Sequence, residues 1–323
     1  MKLGLVLGAG GTVGLAYHAG ALRALEQVGG IAPSSADLMV GTSAGSMVAT
    51  FLRCGWTTDD LWSLALGSHP SLLEQTAEEL AQNRAGILAP LWRNPLELGR
   101  RAVGSAYVFS RSMVRIPAPM LPSVLGRWFP GGFFAMSEGS QRFTTELPAQ
   151  WPSAPLWICA VDINTGSRVV FGRDVSATPA QAVRASCAIP GIYPPVRIEG
   201  RLLVDGAAYS TTNVDLAGPA GAGCNLIIAV APMAFDTAPA PRLTTQLSRR
   251  RAARSLAGEV ASVRAGGAEV LLLRPTPAEL RIHGANPMRR DGWEPIARAA
   301  YESVATALET ERFQRVLRER PAA

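Results

Sequence analysis

Residues 3–52 run through a short apolar stretch, a glycine-rich turn, a helical pattern, a second apolar stretch, a tight turn and another helical pattern, and this order narrows the fold more than any other feature. Leu3–Leu7 is an unbroken apolar run, as a strand buried on both faces requires. Residues 14–27 carry apolar side chains at helical spacing through Leu15, Ala19, Leu22 and Leu25. Residues 38–40 form a second short strand that stops at Gly41, and residues 44–52 read as a helix. Such a βαβα unit predicts an α/β fold, a three-layer α/β/α sandwich with a mostly parallel central sheet.

The rest of the chain fits one large domain over residues 1–323. With 323 residues, 48% hydrophobic and 17% charged, there is ample material for a core, which excludes a disordered chain. Strand-like segments return at residues 156–161, 169–171, 202–204, 226–230 and 270–273. Residues 293–319 carry helical spacing through Ile296, Ala300, Val304, Leu308, Phe313 and Leu317 and close the domain. Arg242 and the group Arg249, Arg250, Arg251 and Arg254 mark an exposed basic loop or helix start.

Between these parts, residues 57–150 are less regular. Between Glu97 and Glu138 there are five arginines (Arg100, Arg101, Arg111, Arg115 and Arg127) and no acidic residue, interleaved with aromatics such as Tyr107, Phe109, Trp128, Phe129, Phe133 and Phe134. A basic, aromatic-rich insert suits a lid or a membrane-surface patch. It equally suits a cap whose aromatics are core, because the spacing shows no clean amphipathic period.

Cys54, Cys159, Cys187 and Cys224 match no metal or redox spacing and are too few for a disulfide scaffold, so a reduced, cytoplasmic setting is expected. The sequence contains no run of eighteen apolar residues and no leader with a cleavage site. The net charge of +6 makes anionic surfaces, such as phospholipid headgroups or nucleic acid, candidate partners, unless the arginines only solvate the surface. No recognised nucleic-acid module is present, so no nucleic acid is expected.

The chemistry centres on Gly41-Thr42-Ser43-Ala44-Gly45, a GxSxG placed directly between a strand and a helix. Small flanking residues let such a turn push a serine hydroxyl out at a helix N-terminus, where developing negative charge is favoured. The earlier loop, Gly8-Ala9-Gly10-Gly11-Thr12-Val13-Gly14, can aim backbone N–H groups at a negative oxygen. It is not a dinucleotide fingerprint: Val13 stands where the third glycine is needed, and no acidic residue ends the next strand. It is not a phosphate-binding P-loop either, since no Lys-Ser/Thr follows. An oxyanion hole built by Gly10 and Gly11 fits better.

The serine needs a base, and the chain has only His18, His69 and His283. His18 lies within a helix pattern and His69 precedes Pro70, so both read as structural or solvated. His283 follows Asp205 in the order of an α/β-hydrolase triad, but such enzymes place their nucleophile after several strands, whereas Ser43 follows the second. Asp205 closes the apolar run Leu202-Leu203-Val204, with Gly206 and Ala207 next, and a partly desolvated carboxylate can take the serine proton.

Together these segments resemble the patatin-like phospholipase family. The glycine loop resembles its oxyanion-hole block, and residues 41–45 its nucleophile elbow. Residues 162–166 with Val169-Val170-Phe171 are similar to the strand pair that follows, residues 185–196 to the block that walls the active site, and Asp205-Gly206-Ala207 to the block carrying the catalytic aspartate. Two departures stand out: many members have arginine or lysine where this chain has Thr12 and Val13, and glycine where it has Ala207.

The resemblance implies a single patatin-like α/β hydrolase domain, with the insert at about residues 57–150 as its unmatched part, where acyl-chain selection is expected. It also implies a lipid acyl hydrolase of phospholipase A or lipase/esterase type, with Ser43 as nucleophile and Asp205 as general base. Gly10 and Gly11 would form the oxyanion hole, with Thr12 as a third donor, and Gly41 and Gly45 would shape the elbow. No metal and no cofactor is expected. The expected partners are a lipid or acyl-ester substrate and transient contact with an anionic membrane, at its inner face if the protein is cytoplasmic. Two alternatives stay open: an esterase with a Ser43, Asp205 and His283 triad, and a catalytically silent lipid-binding regulator.

Overall fold

The computed structural model describes residues 1–70, 89–114, 128–136, 147–234, 243–284, 286–289 and 291–318. The chain divides into two compact units, the first comprising residues 1–73, 152–157 and 210–323, the second residues 74–151 and 158–209.

The first unit is built on four parallel strands. β1 (Leu3–Leu7) is followed by α1 (Gly11–Gln27), β2 (Leu38–Thr42), α2 (Ala44–Arg53) and α3 (Thr58–Leu66). β1 lies between β2 and a later strand, β9 (Leu226–Val230), and β10 (Glu269–Leu273) continues the order outward from β9. Leu5 is level with Met39 on one side and Ile228 on the other, and Leu271 is level with Ile228. β1, β2 and β9 are buried at every position, which is why they read as unbroken apolar runs.

Within this unit α1 packs on α8 (Trp293–Leu308), α3 and α2. A Cβ on Gly20 of α1 would stand 2.0 Å from the Ala297 carbonyl oxygen of α8, so the two helix backbones touch. Tyr17, Leu22 and Leu25 of α1 and Ile296, Ala300 and Leu308 of α8 are fully buried. The C-terminal helical pattern is divided into α8 and α9 (Glu311–Arg318). The break falls at Thr310, whose carbonyl accepts the Gln314 N–H at the start of α9 while its hydroxyl donates to Ala307 O. Of the basic residues expected as a loop or helix start, Arg249, Arg250, Arg251 and Arg254 lie in a long helix, α6 (Leu243–Ala265), with Arg250, Arg251 and Arg254 exposed, and Arg242 lies outside the described residues.

The second unit is antiparallel where the first is parallel. β5 (Leu156–Asp162) opens in the first unit, where Pro155 O accepts the Met39 N–H. From Ile158 onward it belongs to the second, pairing antiparallel with both β6 (Arg168–Phe171) and β8 (Arg201–Asp205), while β8 pairs with β7 (Val196–Ile198). The mostly parallel, three-layer α/β/α reading therefore holds, with its parallel strands gathered in the first unit. The insert contributes a short antiparallel pair, β3 (Ala89–Pro90) with β4 (Phe134–Ala135), and the helix α4 (Pro95–Phe109). Arg115 and Arg127 lie outside the described residues.

Two further helices went unread in the sequence. α5 (Pro179–Ser186) starts with the capping box Thr178-Pro179-Ala180-Gln181, and α7 (Pro277–His283) with Thr276-Pro277-Ala278-Glu279. Both spell the same start signal, a threonine cap, proline in the first turn and a side chain three residues on that reaches back.

Candidate active site

Ser43 is the residue between β2 and α2, and its backbone is held at φ 53° and ψ −121°. That is a left-sided conformation which costs a side-chain-bearing residue on the order of 1–3 kcal/mol and persists only where its surroundings impose it. They do so here by glycine. A Cβ on Gly41 would come within 2.5 Å of Ser46 Cα, and one on Gly45 within 2.0 Å of the Leu7 carbonyl oxygen. The start of α2 is thus pressed against the end of β1, and the turn has no room to relax. Ser43 is 6% exposed, and its hydroxyl caps no N–H of α2. The first turn of α2 is tied instead by Ser46, whose hydroxyl donates to Ser43 O at 2.6 Å.

The glycine loop lies in the same unit and against the same helix. Gly8 donates to Val230 O and Ala9 to Thr211 O, which fixes the loop to β9 and to the segment after residue 209. Gly10 is the residue before α1, and Gly11, at φ 61°, opens the helix. A Cβ on Gly14 would lie 3.5 Å from Ala44 Cβ, so the loop and the Ser43 turn are neighbours. Val13 N–H is taken by Pro287 O, whereas the N–H groups of Gly10, Gly11 and Thr12 bond to no described residue. The Thr12 hydroxyl is committed elsewhere, donating to Arg289 O at 2.6 Å and Pro287 O at 3.2 Å.

Two supports were missed in the sequence. The His18 imidazole is wholly buried, with Nε2 2.8 Å from Gly8 O, and burial brings its pKa down to about 4. A neutral ring donating from Nε2 thus holds the first glycine of the loop. Asn213, with φ 58°, donates from Nδ2 to Thr42 Oγ1 and to Ser210 O, bracing the residue before Ser43. The Ser210 hydroxyl accepts the N–H groups of Thr212 and Asn213. The available signal was the polar run Ser210-Thr211-Thr212-Asn213 directly after the Asp-Gly block.

Asp205 ends β8 in the second unit and is 3% exposed. Its Oδ1 accepts the Ala207 N–H at 2.8 Å and its own N–H donates to Ala188 O at 2.9 Å, fixing the carboxylate at the strand end. A Cβ on Gly206 would meet Cys159 O at 2.4 Å, so only glycine fits beside it, while the Ala207 methyl is half-exposed and accommodated.

A family model described as Patatin-like phospholipase matches residues 5–217. The chain belongs to the patatin-like phospholipase family. That match takes in Ser43, the glycine loop and Asp205, and leaves α6 to α9 beyond it. Among solved structures, the chain is similar to VipD from Legionella pneumophila, with 14% identity and a TM-score of 0.44 over 95% of this chain and 66% of that one. It is similar to the type III effector protein ExoU, with 18% identity and a TM-score of 0.36 over 95% and 53%. ExoU in its complex with SpcU from the type III secretion system of Pseudomonas aeruginosa gives 22% identity and a TM-score of 0.35 over 97% and 52%. The chain thus spans about half to two thirds of these proteins.

The other histidines of this patatin-like chain are engaged in packing. His283, 3% exposed at the end of α7, meets the Tyr17 ring edge-on at 5.7 Å. His69 stacks on Trp56 at 4.7 Å. Among the described residues no group of three or more His, Cys, Asp or Glu side chains could hold a metal ion, and no helix is long and apolar enough to cross a membrane.

Proposed function

We propose that this patatin-like chain hydrolyses carboxylic esters of lipids through an acyl-enzyme on Ser43, with Asp205 as general base. The observation that carries the reading is the strained Ser43 backbone, locked by Gly41 and Gly45 beside a glycine loop whose Gly10 and Gly11 N–H groups bond to no described residue. On this reading the Asp205 carboxylate takes the Ser43 hydroxyl proton as Oγ bonds to the acyl carbon. The N–H groups of Gly10 and Gly11 carry the oxyanion. The ester C–O bond then breaks, the alcohol leaves with the proton, and a water deprotonated by Asp205 releases the fatty acid.

Thr12 enters only through its backbone N–H, because its hydroxyl is held by the loop at residues 287–289. The packing of His283 on Tyr17 favours the Ser43–Asp205 pair over a triad. A fluorophosphonate probe tests the nucleophile: one adduct, mapped to Ser43 and absent in Ser43→Ala, supports the reading. A folded protein that takes no label supports the silent regulator instead.

A further inference from the structure

A helix on a protein surface ordinarily turns its apolar stripe inward and its charges to water. α4 departs from this on its outer side, although Val108 is buried. Asn94 caps it by accepting the Glu97 N–H, and Glu97 reaches back to accept the Arg93 N–H. Its polar residues are then drawn toward the protein. Ser105 is buried and accepts the Gly132 N–H at 2.9 Å, and Arg101 donates to Leu91 O and Gly132 O at 2.9 and 2.8 Å. Val108 packs into a cluster with Val161, Ile163, Val204 and Ala208. Gly104 lets the backbone at residues 129–130 approach so closely that a Cβ would lie 2.3 Å from Phe129 O.

What remains outside is uncharged. Every exposed position of α4 is apolar or glycine, including Leu96 at 73%, Val103 at 55%, Phe109 at 47% and Leu98 at 38% exposure. Trp128, 60% exposed, lies alongside: Arg100 donates to its carbonyl at 2.6 Å and holds its guanidinium 5.2 Å from the centre of its ring. These are five of the nine large apolar side chains left exposed among the described residues, gathered on one helix and the residue beside it. A cluster of this kind marks an interaction site rather than scattered surface.

Charge chooses the occupant. Arg93 is exposed at the start of the helix, Arg100 and Arg101 flank the apolar face, and the sequence has no acidic residue from 98 to 137. Tryptophan and arginine around leucine, valine and phenylalanine are the side chains that sit at a bilayer interface and meet anionic headgroups.

We propose that the outer face of α4, with Trp128, docks on an anionic phospholipid bilayer. This deepens the hydrolase reading by naming the surface that meets the lipid, yet it stands on different residues and is tested without turnover. The full chain carrying Ser43→Ala is floated with vesicles of phosphatidylcholine alone or mixed with phosphatidylserine. The expected result is binding to the mixed vesicles, weakened by salt and by Arg100→Glu, and reduced on the order of a hundredfold by Leu96→Asp with Val103→Asp. In the Ser43-intact chain the same double change leaves hydrolysis of a soluble short-chain ester untouched, which separates lost docking from lost folding.

A second readout needs no loss of function: an environment-sensitive dye on Leu96→Cys should shift to the blue when mixed vesicles are added. Undiminished binding by the double variant, no binding by the parent, or a parent that is dimeric while the variant is monomeric overturns the proposal. The last result would assign the face to a second copy of the chain.

Discussion

In α2, Val48, Ala49, Phe51 and Leu52 are buried, while Leu96, Leu98, Val103 and Phe109 of α4 face outward. Both helices carry apolar residues at positions that a helix could present on one side. α2 follows a strand whose end it touches, and Gly45 fixes that contact at the Leu7 carbonyl. α4 is pinned instead by arginine, serine and glycine to backbone groups at residues 91 and 128–132. The difference shows how an apolar stripe is allocated. Where a neighbouring strand is supplied locally the stripe becomes core, and where polar side chains anchor the helix from within it is left for another surface.

The contact that makes α2 core is removed most sharply by Gly45→Ala. With a carbonyl oxygen 2.0 Å from the new Cβ, the turn carrying Ser43 cannot keep its place, and destabilisation beyond about 4 kcal/mol is expected, read as loss of soluble protein or of a cooperative melt. Next, the same change made twice in α4 should have opposite signs. Gly104→Ala meets Phe129 O at 2.3 Å and should cost about 3 kcal/mol, whereas Gly99→Ala meets nothing within 4 Å and should stabilise by about 1 kcal/mol. Denaturant melts of the two variants read the contrast directly.

His18 adds a pH dependence to the first block. Its pKa is about 4 when folded against an ordinary 6.5, so between those values the unfolded chain holds a proton that the folded chain lacks. Stability should fall as pH drops through that window, by about 1.4 kcal/mol per pH unit, with no contribution from this group above pH 6.5. His18→Gln should remove that slope. The smallest effect is at Ser43 itself. Ser43→Gly relieves the φ of 53° and should stabilise the fold by about 1 kcal/mol while abolishing turnover; a Tm below that of the parent would mean that Ser43 is unstrained.

Much of the first unit was legible because β1, β2 and β9 are buried at every position and spell apolar runs, as β10 does from Val270 to Leu273. The Ser43 turn was legible because the close contacts at Ser46 and at the Leu7 carbonyl demand glycine at positions 41 and 45, two residues either side of the serine, and so leave a local trace. α1 begins at Gly11, three residues before its apolar spacing starts, because Pro287 O supplies an acceptor to Val13 from far along the chain. Such a long-range partner leaves no local trace. α4 was missed for another reason: it carries apolar residues on its outer side (Leu96, Leu98, Val103 and Phe109) and on its inner side (Val108, with Tyr107 beside it), so the spacing shows no clean period. The capping boxes of α5 and α7 and the Asn94-Pro95 start of α4 were spelled out and overlooked.

Fatty-acid release from phospholipid vesicles and from p-nitrophenyl esters of graded chain length, compared among the parent, Ser43→Ala, Asp205→Asn and His283→Ala, decides whether Ser43 and Asp205 act as a pair. The first two variants should stay folded and lose activity by roughly a thousandfold or more, while His283→Ala should work near the parent rate. Activity retained in Asp205→Asn, or lost in a folded His283→Ala, would contradict the Ser43–Asp205 pair.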